Sequence, residues 1–175
     1  AIIAGAVVLA TIQPMQAGQA ASAQHLAEMK KLEMMAGNWK GEGWAFARSG
    51  RVEFISSEKV ERQLDGLLLV IEGLHHRKLE GGKPGEVVHH AYAVISYDPA
   101  GPGYLFDAYQ LDGHHLDAKA RSAGPNTFEW GFTSPQGTVR YTIKFEGDRW
   151  NEVGETSQDG TTWRKIFEMN LQRAK

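Results

Sequence analysis

The chain has 175 residues and a formal net charge of −2, and 42% of its residues are hydrophobic. This length and composition predict one globular domain, and the near-zero charge excludes the basic surface that nucleic-acid binding requires. The sequence contains no cysteine, which excludes disulfides, thiolate metal sites and a cysteine nucleophile.

Residues 1–23 differ in composition from the rest of the chain. An apolar run, AIIAGAVVLATI, is followed by small, uncharged residues that end in Ala21-Ser22-Ala23. This layout is typical of the hydrophobic segment and cleavage site of a signal peptide. The run is shorter than the roughly 20 residues that span a bilayer, so no stable membrane insertion is expected. We interpret 1–23 as a truncated signal peptide and 24–175 as one domain that is periplasmic or secreted in a bacterium. A buried amino-terminal helix is the alternative.

A short helix is predicted first, followed only by strands. In 24–35 (QHLAEMKKLEMM) leucine and methionine recur every three residues, which is typical of one face of a helix. The apolar period then changes to two, and turn signals containing glycine, proline, asparagine or aspartate separate the segments. The ten predicted strands are 38–48, 52–64, 67–79, 87–97, 104–111, 114–122, 127–133, 138–145, 149–157 and 162–171.

Ten consecutive strands with short connections leave no room for the long crossovers of a parallel sheet. A long antiparallel meander avoids open edges by closing on itself. We therefore predict an all-β fold, a ten-stranded antiparallel up-and-down β-barrel with a short N-terminal helix, and a β-sandwich is the alternative. With ten strands the interior exceeds what side chains fill in a small barrel, so a cavity is expected.

The stretch Gly37-Asn-Trp39-Lys-Gly41-Glu-Gly43 opens the first predicted strand. A helix that leads into a Gly-x-Trp strand resembles the calycin superfamily, which includes the lipocalins and fatty-acid-binding proteins. The resemblance implies a calycin-like barrel in which Trp39 closes one end beneath the helix. Residues 36–173, with LDGLLLVIEG, AYAVISYDP, RYTI and RWNEVGETSQDGTTWRKIFEMNLQR, look like an uncharacterised family of secreted bacterial lipocalin-like proteins. That likeness implies the fold and leaves the chemistry open.

The Gly-x-Trp-x-Gly-x-Gly spacing is also similar to that of nitrobindins, which are ten-stranded haem-binding barrels. Their motif continues with another glycine and a Tyr-Pro-Thr-Ile stretch, where this chain has Ala45-Phe46-Ala47-Arg48. Nitrobindins bind haem iron through a histidine late in the chain, and this chain has no histidine after His115. These departures argue against haem bound in that manner.

Six of the seven histidines form three adjacent pairs, at 75–76, 89–90 and 114–115. If the third and fourth strands form a hairpin around the GGKPG turn, His75 lies opposite His90, and the third pair falls at the same end of the barrel. Histidines on one face with a nearby carboxylate are able to hold zinc or iron. The resulting metal-site hypothesis names His75, His90 and His115 as ligands of zinc, iron or haem iron. The alternative is a solvated polar rim.

Aromatic side chains on alternating positions of the later strands are the candidates for a cavity wall. The candidate ligand-binding residues are Trp39, Trp130, Phe132, Tyr141, Trp163 and Phe167. Ordinary core packing is the alternative for each of them. Glu152 and Glu155 lie three residues apart on one strand and so face opposite sides. They do not form a catalytic pair, and we expect them to make contacts at the rim or in turns.

Three functions remain open from the sequence. The first hypothesis is a barrel that binds a small apolar molecule, with one or two polar groups that set its orientation. The second is a metal- or haem-dependent protein, including an enzyme, that uses the histidine-rich rim. The third is an interaction module with a filled barrel and no ligand. The chain has no GxSxG, HExxH or P-loop signature, so we assign no catalytic residue, and the first hypothesis requires no cofactor.

Overall fold

The computed structural model describes residues 23–47, 49–101 and 103–175. An α-helix, α1 (Ala23–Lys30), precedes a 3-10 turn at Glu33–Met35. The predicted signal peptide lies outside these residues except for Ala23. No helix in the described ranges has the length and apolarity needed to cross a membrane.

Ten antiparallel strands follow the helix, and their ends differ from the predicted ones by three residues at most. They are β1 (Gly37–Ala47), β2 (Gly50–Gln63), β3 (Leu68–Lys78), β4 (Pro84–Asp98), β5 (Gly103–Gln110), β6 (His115–Gly124), β7 (Thr127–Ser134), β8 (Gly137–Glu146), β9 (Arg149–Ser157) and β10 (Arg164–Arg173). Each strand pairs with its neighbours in sequence, and β1 also pairs with β10, with Trp39 opposite Arg173. The predicted closed ten-stranded barrel is therefore confirmed, and the sandwich alternative is wrong.

One end of the barrel, called here the closed end, is covered by α1 and the 3-10 turn. Met29, Leu32 and Met35 are buried on the barrel side of this segment. Trp39 lies beneath them with no exposed surface, and its indole Nε1 donates a hydrogen bond to the carbonyl oxygen of Met35 at 2.9 Å. The Tyr104 hydroxyl donates to the carbonyl oxygen of Glu28 in α1 at 3.0 Å. Apolar packing and hydrogen bonds together hold the helical segment over this end.

The opposite end, called here the open end, carries the turns that join β1 to β2, β3 to β4, β5 to β6, β7 to β8 and β9 to β10. Inward-facing residues near these turns, such as His89, Gln110 and Phe132, remain partly or fully exposed. Deeper on β3, β4 and β5, the inward positions include glycine and alanine, as at Gly73 and Ala93. Such small residues cannot fill a ten-stranded barrel, so space remains inside it.

The register predicted for the hairpin of β3 and β4 is wrong by one residue. His75 lies opposite His89, and Leu74 lies opposite His90. The turn contains a short 3-10 segment, Glu80–Gly82, and the pairing shifts on both sides of His76. Bulges change the facing pairs without any signal in the hydrophobic pattern, so a symmetric hairpin was the wrong assumption.

Candidate functional site

The barrel contains a cavity of about 290 Å³, close to the lower limit of the range of about 300–1,000 Å³ that is usual for ligand sites. Most of its wall is apolar and comes from inward-facing residues of all ten strands. Representative apolar wall residues are Phe54, Ile71, Ala93, Phe106, Ile143 and Met169. Because Trp39 and α1 cover the closed end, the route to solvent is at the open end.

Three aromatic rings form a continuous stack along one side of the cavity. Trp130 stacks on Phe106 with ring centroids 4.4 Å apart, and on Tyr141 with centroids 4.2 Å apart. Both pairs are parallel to within 7°. Gly154 lies opposite Tyr141 on β9, and a Cβ atom there would lie 2.6 Å from Tyr141 Cε1. The stack therefore depends on a glycine behind the Tyr141 ring. Burial raises the pKa of Tyr141 to about 12, so its hydroxyl keeps its proton.

Glu58 enters the cavity from β2 and is almost completely buried, with 6% of its surface exposed. It lies opposite Gly73 on β3, where a Cβ atom would lie 2.7 Å from Glu58 Oε2. The missing side chain of Gly73 thus provides the space for the carboxyl group. Glu58 Oε1 accepts a hydrogen bond from Ser56 Oγ at 3.3 Å and lies 2.9 Å from His75 Nε2.

Glu58 and His75 form a buried acid–base pair. Burial raises the pKa of Glu58 to about 8 and lowers the pKa of His75 to about 4. Between these values the pair holds one proton in its hydrogen bond and carries no net charge. The His75 ring stacks on the Phe54 ring with centroids 4.4 Å apart. The ring of His89, on the neighbouring strand β4, has its centroid 4.9 Å from that of His75. Burial lowers the pKa of His89 to about 4 as well.

A second carboxyl group, Glu152, enters the cavity from β9 and is 7% exposed. The indole N–H groups of Trp130 and Trp150 both favour its charged form, although only Trp130 Nε1, at 3.4 Å, makes a hydrogen bond. Burial, followed by the nearby charge of Glu58, raises the pKa of Glu152 to about 8. The expectation of rim or turn contacts is therefore wrong for Glu152, whereas Glu155 faces outward and pairs with Arg140 at 2.9 Å.

The structure separates the six aromatic candidates into three groups. Trp130, Phe132, Tyr141 and Phe167 line the cavity. Trp39 lies below it at the closed end and packs against Trp150 at 5.6 Å. Trp163 lies outside the wall, where the Arg140 guanidinium lies 3.8 Å from the centre of its ring. A bulge between Lys165 and Phe167 reverses the alternation, so Trp163 does not share the inward face of Phe167.

The three histidines of the metal-site hypothesis are not brought to one point. His75 faces the cavity, but His90 and His115 are on the outer face, where they contact Glu72 at 3.3 Å and Asp107 at 3.1 Å. Across the ranges that the structure describes, no group of three or more histidine, aspartate or glutamate side chains is arranged to hold a metal ion. The cavity also fits haem poorly, because His75 Nε2 already contacts Glu58 and strands β7–β10 carry no histidine.

The sequence holds a signal for the two buried carboxyl groups. On β2 the inward positions read Phe54, Ser56, Glu58 and Val60. A charged residue at an inward position in such a series is expected to have a buried partner or a functional role, because charged residues are almost never fully buried unless they are paired. On β9, Glu152 lies between the buried residues Trp150 and Gly154 in the same way.

Comparison with known proteins supports the fold alone. The chain resembles the crystal structure of Rv2717c from M. tuberculosis with a TM-score of 0.60 and 13% sequence identity, over 85% of this chain and 98% of that one. No protein-family model and no curated protein matches the sequence. The likeness and the closed barrel together fit a calycin-like fold. Function must therefore be argued from the cavity itself.

Proposed function

We propose that this protein binds a small, mainly apolar molecule inside its barrel. The observation that carries the proposal is the 290 Å³ cavity, which is lined by the stack of Phe106, Trp130 and Tyr141. Burial of apolar surface would supply most of the affinity, at about 25 cal/mol per Å² before the costs of association are subtracted. The mainly apolar and aromatic wall favours a ligand with a compact apolar body.

The polar groups of the cavity would fix the orientation of the ligand. Glu58, His75 and Glu152 are buried polar groups in a mainly apolar wall. A few polar groups in an apolar pocket are the usual arrangement in binding sites. The secreted, lipocalin-like character implied by the sequence is consistent with this role, and we propose a periplasmic or extracellular binding protein rather than an enzyme.

The first test is native mass spectrometry of the protein purified from its host, with an absorption spectrum of the same sample. We expect a co-purifying organic mass of small size that is released by denaturation. A bound metal ion or a Soret band, lost when His75 and His89 are replaced by alanine, would instead establish the metal or haem hypothesis. A protein that carries no bound mass and takes up no apolar compound would favour the hypothesis of a ligand-free interaction module.

A pair of matched variants tests whether the cavity is the binding site. Ala91→Phe places a phenyl group in the cavity wall, whereas Val94→Phe places the same group on the outer face of the same strand. We expect Ala91→Phe to weaken binding of the co-purified ligand by at least about tenfold, since one or two kcal/mol of contact is lost. Val94→Phe should bind as the wild type does. Equal affinities for all three proteins would place the ligand elsewhere.

A further inference from the structure

Two buried carboxyl groups share the cavity, and no lysine or arginine accompanies them in the described part of the chain. Glu58 and Glu152 are 6% and 7% exposed, respectively. Their hydrogen-bond partners are Ser56, His75 and Trp130. Buried carboxyl groups are normally paired with a cation or a metal, and near neutral pH the partners of these two are all uncharged, because burial lowers the pKa of His75 to about 4.

Both carboxyl groups lie at the deep end of the cavity, just above its aromatic floor. Glu58 lies opposite Trp39 in the pairing of β1 with β2, and Glu152 is two residues from Trp150 on the same face of β9. The rings of Trp39 and Trp150 are in contact below them, with centroids 5.6 Å apart. The two groups are close enough for the charge of Glu58 to raise the pKa of Glu152. A ligand that enters from the open end therefore meets both carboxyl groups with the part that reaches deepest.

From this geometry we infer that the ligand is an apolar organic cation, whose positively charged nitrogen lies between Glu58 and Glu152 at the bottom of the cavity. The inference rests on the proposed function and names its ligand class. A cation supplies the missing counter-charge for the buried carboxylates.

The remaining titratable groups in the cavity do not oppose a cation. They are His75 on β3, His89 on β4 and Tyr141 on β8, and the cavity-lining part of the described chain has no others besides the two glutamates. Burial lowers the pKa of both histidines to about 4, so neither is positively charged near neutral pH. The tyrosine keeps its proton. An anionic ligand, by contrast, would find no basic partner and two acidic groups.

The acid–base state of the empty cavity gives this inference a distinctive signature. Because burial raises the pKa values of Glu58 and Glu152 to about 8, both carboxyl groups hold protons at neutral pH. A cation favours the ionised forms, so its binding must release at least one proton. Affinity for a permanent cation should therefore rise with pH up to about pH 8, whereas affinity for a neutral ligand should not.

The test uses three compounds of similar size: benzyltrimethylammonium, its neutral carbon isostere neopentylbenzene, and the anion phenylacetate. Dissociation constants are measured at pH 6 and pH 8 by tryptophan fluorescence and by calorimetry in buffers with different ionisation enthalpies. At pH 8 we expect the cation to bind at least about tenfold more tightly than the isostere. Its affinity should fall by about 10- to 100-fold at pH 6, with release of about one proton on binding at the lower pH.

Glu58→Gln and Glu152→Gln keep the shape of each side chain and remove its charge. Each variant should lose the preference for the cation and keep its affinity for the neutral isostere, whereas Glu155→Gln, on the outer face of β9, should retain the preference. If the isostere binds as tightly as the cation at both pH values, the cation inference is wrong and the proposed cavity function stands. If phenylacetate binds best, the cavity prefers anions and the cation inference is wrong. If none of the three compounds binds, the proposed function fails together with this inference.

Discussion

The closed end of the barrel and the cavity differ in how completely the hydrogen-bonding and charge requirements of their buried polar groups are met. At the closed end the polar groups around Trp39 have hydrogen-bond partners, whereas the buried Trp150 Nε1, at the boundary with the cavity, has none. Trp39 Nε1 donates to the Met35 carbonyl oxygen, and Arg173 donates to the carbonyl oxygens of Ala36 and Met34 at 2.6 and 2.9 Å. The Arg173 guanidinium also lies 4.0 Å from the centre of the Trp39 ring. This end satisfies its polar atoms in the way that a stable core requires.

The cavity leaves its polar groups incompletely compensated. Glu58 and Glu152 are as deeply buried as the core, yet they have only neutral hydrogen-bond partners near pH 7. Groups that weaken a fold and are nonetheless present at a concave site are typical of binding and catalytic centres. The difference indicates that the closed end provides stability, and it supports the binding role proposed for the cavity.

Removal of the Trp39 side chain should have the largest effect on stability. Trp39→Ala leaves a void beneath α1 and removes the contacts with Phe145, Trp150 and Arg173. We expect a loss of about 3–5 kcal/mol in the free energy of unfolding, measured by urea denaturation. Trp39→Phe, which keeps most of the ring contacts, should lose clearly less and provides a folded comparison. A loss below about 1 kcal/mol for Trp39→Ala would contradict the role given to the closed end.

Stability should fall as pH rises from about 6.5 to 8, because of the cavity carboxyl groups. The folded pKa values of Glu58 and Glu152 are raised to about 8 from 4.5. Their contribution is therefore fully present below pH 4.5 and is lost as pH rises through 8. His75 and His89, with pKa values lowered to about 4 from 6.5, lose their contribution as pH falls below 6.5. The two trends offset each other between pH 4.5 and 6.5, so the carboxyl effect is clear only above pH 6.5.

The Glu152→Gln variant measures one half of this pH effect. Each carboxyl group should contribute about 2 kcal/mol to the decline between pH 6.5 and 8, at about 1.4 kcal/mol per pH unit. The variant should therefore show about half the decline of the wild type in denaturation curves recorded without ligand. Glu155→Gln is the matched control, because Glu155 lies on the outer face of the same strand and should leave the decline unchanged. A flat profile in the wild type would show that the carboxyl groups are not buried as described.

Gly154→Ala should disturb the cavity wall without touching the closed end. The added Cβ atom would lie 2.6 Å from Tyr141 Cε1 and 2.9 Å from Phe167 Cβ, so the Tyr141 ring must move out of its stack with Trp130. We expect a loss of about 1–2 kcal/mol and a changed near-ultraviolet circular dichroism spectrum. Val153→Ala, at the adjacent outward position, should leave the spectrum unchanged. An unaltered spectrum for Gly154→Ala would mean that the stack is not held as tightly as the geometry requires.

The barrel was predictable because its signals are local and repeated. Turn residues end each strand, alternation marks most faces, and nine short connections allow only a meander. The cavity was only partly predictable, because it depends on which strands meet across it. Trp130, Phe132 and Tyr141 were found from alternation alone, since no bulge interrupts the pairing of β7 with β8. Phe167 follows the bulge in β10 and keeps the inward position that alternation with Met169 predicts.

The errors arise where long-range pairing or a bulge decides the outcome. The bulge between Lys165 and Phe167 moved Trp163 to the outside, and the irregular pairing around His76 displaced the histidine register. Glu58 and Glu152 come from strands far apart in sequence, and their shared position requires the closed barrel. Sequence spacing along one strand could only show that Glu152 and Glu155 face opposite sides.

Trp163 offers the mildest test of the boundary between cavity and exterior. Its ring lies beneath Arg140, which also pairs with Glu155, and this contact is on the outside of the barrel. Trp163→Ala should therefore cost only about 0.5–1 kcal/mol, the usual value of an exposed cation–π contact, and should leave ligand affinity unchanged. Phe167→Ala, four residues further along, removes part of the cavity wall and should weaken binding of the same ligand by at least about tenfold. If Trp163→Ala weakens binding as much as Phe167→Ala does, the bulge does not separate the two rings and the face assigned from sequence alternation is the correct one.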